Sequence, residues 1–128
     1  MKLTLDVENT VTKRDGKVHM DPFEPNNTLV MVGVLTDQDV CYAFPFDHTG
    51  HESGFDYSDR VQWFLDQATV LIMHNASHDL MWLWESGFKY DGPVFDTMLA
   101  EYVLQRGDKS KPLSLEACAE RYQLDTKK

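Results

Sequence analysis

The period of the hydrophobic pattern changes partway along this chain, and that change narrows the accessible folds more than any other feature. Leu3, Leu5 and Val7 alternate with Thr4, Asp6 and Glu8, the two-residue period of a strand with one buried face. Residues 29–35 form a β-branched, apolar run broken by Gly33 and read as a central strand. After a short turn at 36–39, residues 40–44 give a third strand, antiparallel to the second. From residue 59 the spacing becomes helical, with Val61, Phe64, Leu65 and Ala68 on one side and Asp59 as the cap. Residues 70–73 form a short apolar strand covered on both faces. A helix over 77–85 follows, with Leu80, Leu83 and Trp84 on its buried side, then a strand at 94–95. Asp96 or Thr97 caps a helix carrying Leu99, Tyr102 and Val103, and a last helix begins near Ser114 with Leu115, Cys118, Ala119 and Tyr122. Residues 9–27 and 45–58 read as loops, the first rich in turn formers around Asp15-Gly16, Pro22 and Pro25.

Strands first and alternation afterwards predict an α/β fold: three antiparallel strands, then parallel strands, in one mixed sheet flanked by helices. That order suits a ribonuclease H-like arrangement. The 128 residues fit a single domain, and 42% hydrophobic residues supply its core. No apolar run is long enough to span a membrane, and Asp6 interrupts the start too early for a secretory signal, so a cytoplasmic location is expected. Cys41 and Cys118 lie among apolar neighbours and read as buried, reduced thiols. Twenty-one acids against twelve bases give a net charge of −9, which weighs against nucleic-acid binding through Lys and Arg alone. Acids that hold divalent metals remove that objection, because the metals then meet the phosphates. Weak DNA affinity without metal is the expectation.

Asp6 and Glu8 share one face of the first strand, with Cα atoms about 7 Å apart. Carboxylates projected together repel unless something positive sits between them, and hard divalent cations take such oxygen ligands. A solvated strand face is the plainer reading of the pair alone. Asp79 falls in the first turn of a helix, where the helix dipole favours a carboxylate in any case. Asn75, four residues earlier, reads equally as a turn residue or a cap. His74 and His78 straddle a strand end and a turn rather than one helix face, so polar packing is preferred to a metal pair. His48, His51 and Glu52 read as solvated loop residues, and Trp82, Leu83 and Trp84 as core.

Taken together, Asp6-Val7-Glu8, the run Asn75 to Asp79, the helix Asp96 to Leu104 and the spacing Leu115 to Tyr122 resemble the proofreading exonuclease domain of family A DNA polymerases, in the DEDD superfamily. The resemblance covers nearly the whole chain. It implies a 3′→5′ exonuclease with two Mg²⁺ or Mn²⁺ ions, in which Asp6, Glu8 and Asp79 are the metal ligands and catalytic carboxylates. It further implies that Asn9, Asn75 and His78 contact the terminal nucleotide, that the substrate is a single-stranded or frayed DNA 3′ end, and that the product is a nucleoside 5′-monophosphate. His78 stands where the family prefers Phe or Tyr. Asp96 is not among the family's ligands and is kept as a helix cap.

The family also uses a fourth carboxylate, four residues after a Tyr or His on a later helix. Tyr122 and Asp125 are three apart, and Tyr122 matches an earlier helix, so neither substitutes. Residues 1–128 are therefore expected to form a partial domain lacking that helix, with little activity alone and completed by the remainder of the polymerase in cis or as a separate chain. The first motif lies six residues from Met1, an arrangement expected of a bacteriophage polymerase. The alternative is a non-catalytic exonuclease-like module that docks with a polymerase or binds DNA ends.

Overall fold

The computed structural model describes residues 1–46 and 56–124. A five-stranded mixed sheet has the order β5-β4-β1-β6-β7, where β1 is Lys2–Asn9, β4 Leu29–Thr36, β5 Cys41–Pro45, β6 Val70–Met73 and β7 Val94–Asp96. β1, β4 and β5 pair antiparallel, while β6 and β7 run parallel to β1. Helices α1 (Ser58–Gln67), α2 (Ala76–Glu85), α3 (Thr97–Leu104) and α4 (Leu115–Arg121) complete the ribonuclease H-like α/β fold that the order of periods predicts.

Register explains which side of the sheet is the core. Leu5 stands opposite Val34, Val7 opposite Val32, Val32 opposite Phe44, and Leu3 beside Leu71. These side chains share one face, and all are buried. Val61, Phe64 and Leu65 of α1 and Trp82 and Leu83 of α2 close over it. The other face carries Thr4, Asp6 and Glu8, all exposed, with Leu35 and Phe95 uncovered beside them. One strand thus serves the core with every second residue and leaves its acids facing out.

Several expectations need correction. Asp59 does not cap α1: Tyr57 occupies that position without a side-chain bond, and Asp59 lies in the first turn. Trp84 is 55% exposed, and Trp82 takes the buried place, because the inward stripe of α2 runs through Ala76, Asp79, Trp82 and Leu83. Cys41 is exposed, since β5 is an edge strand, while Cys118 is half-buried. β6 buries Leu71 and Met73 fully and Val70 and Ile72 only in part. The loop at 9–27 contains a hairpin, β2 (Thr12–Arg14) and β3 (Lys17–His19). Its turn is Asp15-Gly16 with φ of 54° and 76°, the doubly positive geometry of a tight hairpin. His48, His51, Glu52 and Asp125 lie outside the described residues.

Candidate active site

The pairing of β1 with β6 ends at Thr4 beside Ile72, so residues 6–9 of β1 run past the last paired residue of β6. Asp79, in the first turn of α2, lies beside this stretch and accepts a backbone hydrogen bond from Val7. It is 4% exposed, and its Oδ2 has no hydrogen-bond partner. Burial pushes its pKa up to about 7, the neighbouring Asp6 charge adds to the rise, the Val7 bond opposes it, and Asp96 contributes a smaller increase. A buried carboxylate with an orphaned oxygen, next to a second carboxylate, is costly unless protonated or matched by a cation. Gly33, opposite Asp6 on β4, leaves open space: a Cβ there would meet only the Asp6 carbonyl oxygen, at 3.9 Å.

Asp96 behaves differently. Its Oδ1 accepts from the backbone N–H of Asn75 (3.0 Å), Met98 (2.9 Å) and Leu99 (3.3 Å), and its Oδ2 from Ala76 (3.0 Å). Burial alone would raise its pKa, but the bonds from Ala76, Asn75, Leu99 and Met98 together hold it below the usual carboxylate range. The cap expected for α3 therefore also fixes the start of α2. Asn75 accommodates this by adopting a left-handed conformation (φ 64°, ψ 62°), which Asn tolerates well. Its exposed side chain takes part in a 3.4 Å contact with the Ser77 hydroxyl.

Asn9 and His78, both expected at the substrate, meet one another: His78 Nε2 lies 3.0 Å from Asn9 Oδ1. Asn9 Nδ2 donates to the carbonyls of Thr10 (2.8 Å) and Met20 (3.1 Å), which fixes the amide and makes His78 Nε2 the donor. Trp82 Nε1 donates to the same Met20 carbonyl at 3.0 Å. His74 is bound elsewhere, with Nε2 2.6 Å from the Leu113 carbonyl and Nδ1 2.9 Å from the Thr97 hydroxyl. The two histidines are thus engaged separately.

Among the described residues, no group of three or more His, Cys, Asp or Glu is close enough to hold a metal. The structure draws together Asp6 and Asp79, and Glu8 shares the strand face with Asp6. The pair fits a hard divalent cation in donor type, in mutual repulsion and in the unused Asp79 oxygen. A cavity of about 470 Å³ between β5 and α1, lined by Tyr42, Phe44, Trp63 and Phe64 among others, belongs to a different part of the molecule and carries no such carboxylate pair.

One buried cluster had no forecast. Glu101 of α3 is ion-paired with Arg121, accepts from Gln105 Nε2 (2.8 Å) and from the Tyr122 hydroxyl (2.8 Å), and so ties α3 to α4. Its signal was the acid inside an otherwise apolar helix pattern. Tyr122 is committed there, in keeping with its assignment to the earlier helix.

No curated protein matches this chain. A solved structure described as the apo form of the nuclease shares the fold, with a TM-score of 0.69 at 16% identity. The match covers 98% of this chain and 54% of that one, so the chain spans about half the length of that nuclease. The sequence profile of the 3′-5′ exonuclease family matches residues 35–128, a stretch that includes Asn75, Asp79 and Asp96 and begins after Asp6 and Glu8. By that match the chain belongs to the 3′-5′ exonuclease family.

Proposed function

We propose that this chain carries most of a two-metal 3′→5′ exonuclease site that removes nucleotides from DNA 3′ ends, as the proofreading domain of a family A DNA polymerase. The observation that carries the reading is the buried, unpartnered Oδ2 of Asp79 beside Asp6. Asp6 and Asp79, with Glu8 on the same strand face, would hold Mg²⁺ or Mn²⁺, which when bound supplies charge to the scissile phosphate and activates water. The protein's own part is positional. β1 sets the spacing of Asp6 and Glu8, and Asp96 fixes the start of α2 and with it Asp79. Asn9 and His78 brace the end of β1 against α2 and would contact the terminal nucleotide. Asn75, exposed at the start of α2, would contact the same nucleotide.

Three carboxylates leave two divalent ions a unit of charge short of balance. A fourth carboxylate, in cis or on a separate chain, would balance it, and cleavage supported by Asp6, Glu8 and Asp79 alone is expected to be weak. Calorimetric titration of Mn²⁺ into wild type and Asp6→Ala, with a single-stranded oligonucleotide assay on the same samples, tests the reading. Binding lost in Asp6→Ala supports the carboxylate site. Equal binding by both proteins, or by neither at millimolar metal, would sink it.

A further inference from the structure

Residues 10–28 form a small lobe that is built inside out. Its base is closed by Thr10 and Thr28, which pair through backbone and hydroxyl. Its interior is polar. Asn27 is buried, accepts from the Thr12 hydroxyl at 2.6 Å and donates to the carbonyls of His19 and Asp21, both at 3.0 Å. Glu24 is buried and accepts from Arg14 at 2.7 Å. Meanwhile Val11, Val18, Met20 and Phe23 are each more than half exposed. A segment that hides its amide and carboxylate while showing its apolar side chains is arranged to meet something.

The register shows which apolar residues act together. Lys13 stands opposite Val18 on one side of the β2–β3 ribbon, and Thr12 stands opposite His19 on the other. By the same alternation Val11 and Met20, which flank the ladder, fall on the side of Lys13 and Val18. Lys17, exposed, stands opposite Arg14 on the other side of the ribbon, beside the tip. Three of the chain's twelve bases lie between residues 13 and 17, with Asp15 between them at the turn. Arg14 is spent on Glu24, which leaves Lys13 and Lys17 as the outward cations of this lobe.

The lobe is also bolted to both elements that carry the acids. The Met20 carbonyl accepts from Asn9, next to Glu8 on β1, and from Trp82, one turn beyond Asp79 on α2. We infer that the β2–β3 ribbon is an arm that binds the single-stranded nucleic acid behind its 3′ end, Lys13 and Lys17 on phosphates and Val11, Val18 and Met20 against bases. Lys13 interleaved with Val11, Val18 and Met20 on one ribbon face, with Lys17 beside the tip on the other face, suits a strand's alternation of base and phosphate. The proposal rests on the exonuclease reading only for the polarity of the strand.

Fluorescence anisotropy with a labelled oligo-dT in EDTA, from 20 to 200 mM salt, tests it without turnover. Lys13→Glu/Lys17→Glu is compared with Lys109→Glu/Lys111→Glu, which makes the same change in net charge. The hairpin pair should weaken binding about tenfold and lower the salt slope by about 1.4, the share of two phosphates on a single strand. The control pair should change it less than about twofold at the same salt. Equal losses would mean that net charge alone acts, and would overturn the proposal. Val18→Ser should weaken oligo-dT binding about threefold and leave an abasic oligonucleotide unaffected. Unchanged binding in both hairpin variants would overturn the arm and leave this face to a protein partner. Asp6→Asn, run alongside, should bind the oligonucleotide at least as well as wild type. If that variant also kept wild-type Mn²⁺ binding, the carboxylate site would fail while the arm stood.

Discussion

Asp79 and Asp96 both stand near the start of a helix that follows a parallel strand, Asp96 as the cap of α3 and Asp79 in the first turn of α2. Their surroundings are opposite. Asp96 accepts four backbone N–H groups and is held in its charged form below the usual range. Asp79 is the more deeply buried, keeps one oxygen without any partner, and is pushed up to about 7. A helix N-terminus can satisfy a carboxylate through its free N–H groups. At α2 those groups are taken by Asp96 instead, because the N–H groups of Asn75 and Ala76 point to it. A carboxylate near a helix start is thus a structural clamp in one case and an unmet demand for positive charge in the other.

The comparison breaks most severely at the clamp. Asp96→Ala removes acceptors from two helix starts at once and should destabilise the protein by about 3 kcal/mol, near the sum of two lost caps. Urea unfolding measures it. A loss below about 1 kcal/mol would show that the four bonds are replaced by water. Asp79→Asn should not destabilise the metal-free protein, since it deletes an unmatched charge.

Metal should reverse the disadvantage of Asp79. Mn²⁺ at a hundredfold excess over its dissociation constant should stabilise the wild-type fold by about 2.7 kcal/mol, and should do little for Asp79→Asn. Thermal melts with and without Mn²⁺ read this directly. Equal stabilisation of both proteins would place the ion elsewhere.

The pH dependence follows from the raised pKa. The folded protein binds the Asp79 proton more tightly than the unfolded chain, whose aspartate titrates near its ordinary 3.8. Stability from this group is therefore fully present below about pH 4 and is lost as pH rises towards 7. The expected decline in the metal-free protein is on the order of 2 kcal/mol, after allowance for partial solvent screening. It should vanish in Asp79→Asn. A wild-type profile that is flat or rising between pH 4 and 7, relative to Asp79→Asn, would show that Asp79 is ionised without strain.

Some of this contrast can be read from residues and some cannot. The alternation at Leu3, Leu5 and Val7 announces β1 and the outward acids because burial on one face is a local, two-residue property. Asp96 before an apolar helix announces a cap for the same reason. Its second role, at Asn75 and Ala76, depends on β6 and β7 lying side by side, and no local pattern states that. The orphaned oxygen of Asp79 likewise depends on where the β1–β6 pairing ends. Trp82 and Trp84 were exchangeable in a ten-residue helix with apolar residues on several sides, and only the sheet beneath chooses between them. The hairpin was hidden because Thr-Lys-Arg and Lys-Val-His have no apolar alternation, although Asp15-Gly16 is a strong turn signal.

The smallest expected effect asks whether Asp96 alone positions α2, or whether the 10–28 lobe shares the task. Trp82→Phe keeps a ring in the core and removes the indole N–H that reaches the Met20 carbonyl. Loss of one hydrogen bond should cost about 1 kcal/mol, since Asn9 still donates to that carbonyl and leaves it satisfied. Amide exchange distinguishes the two views. If the lobe only hangs from β1, protection should fall in β2 and β3 while Ala76 to Asp79 exchange as before. If it helps hold α2, exchange at the start of α2 should quicken too, and Mn²⁺ affinity should fall with it. The first outcome is expected, because Asp96 grips α2 at its very first residues, whereas Trp82 lies two turns further along.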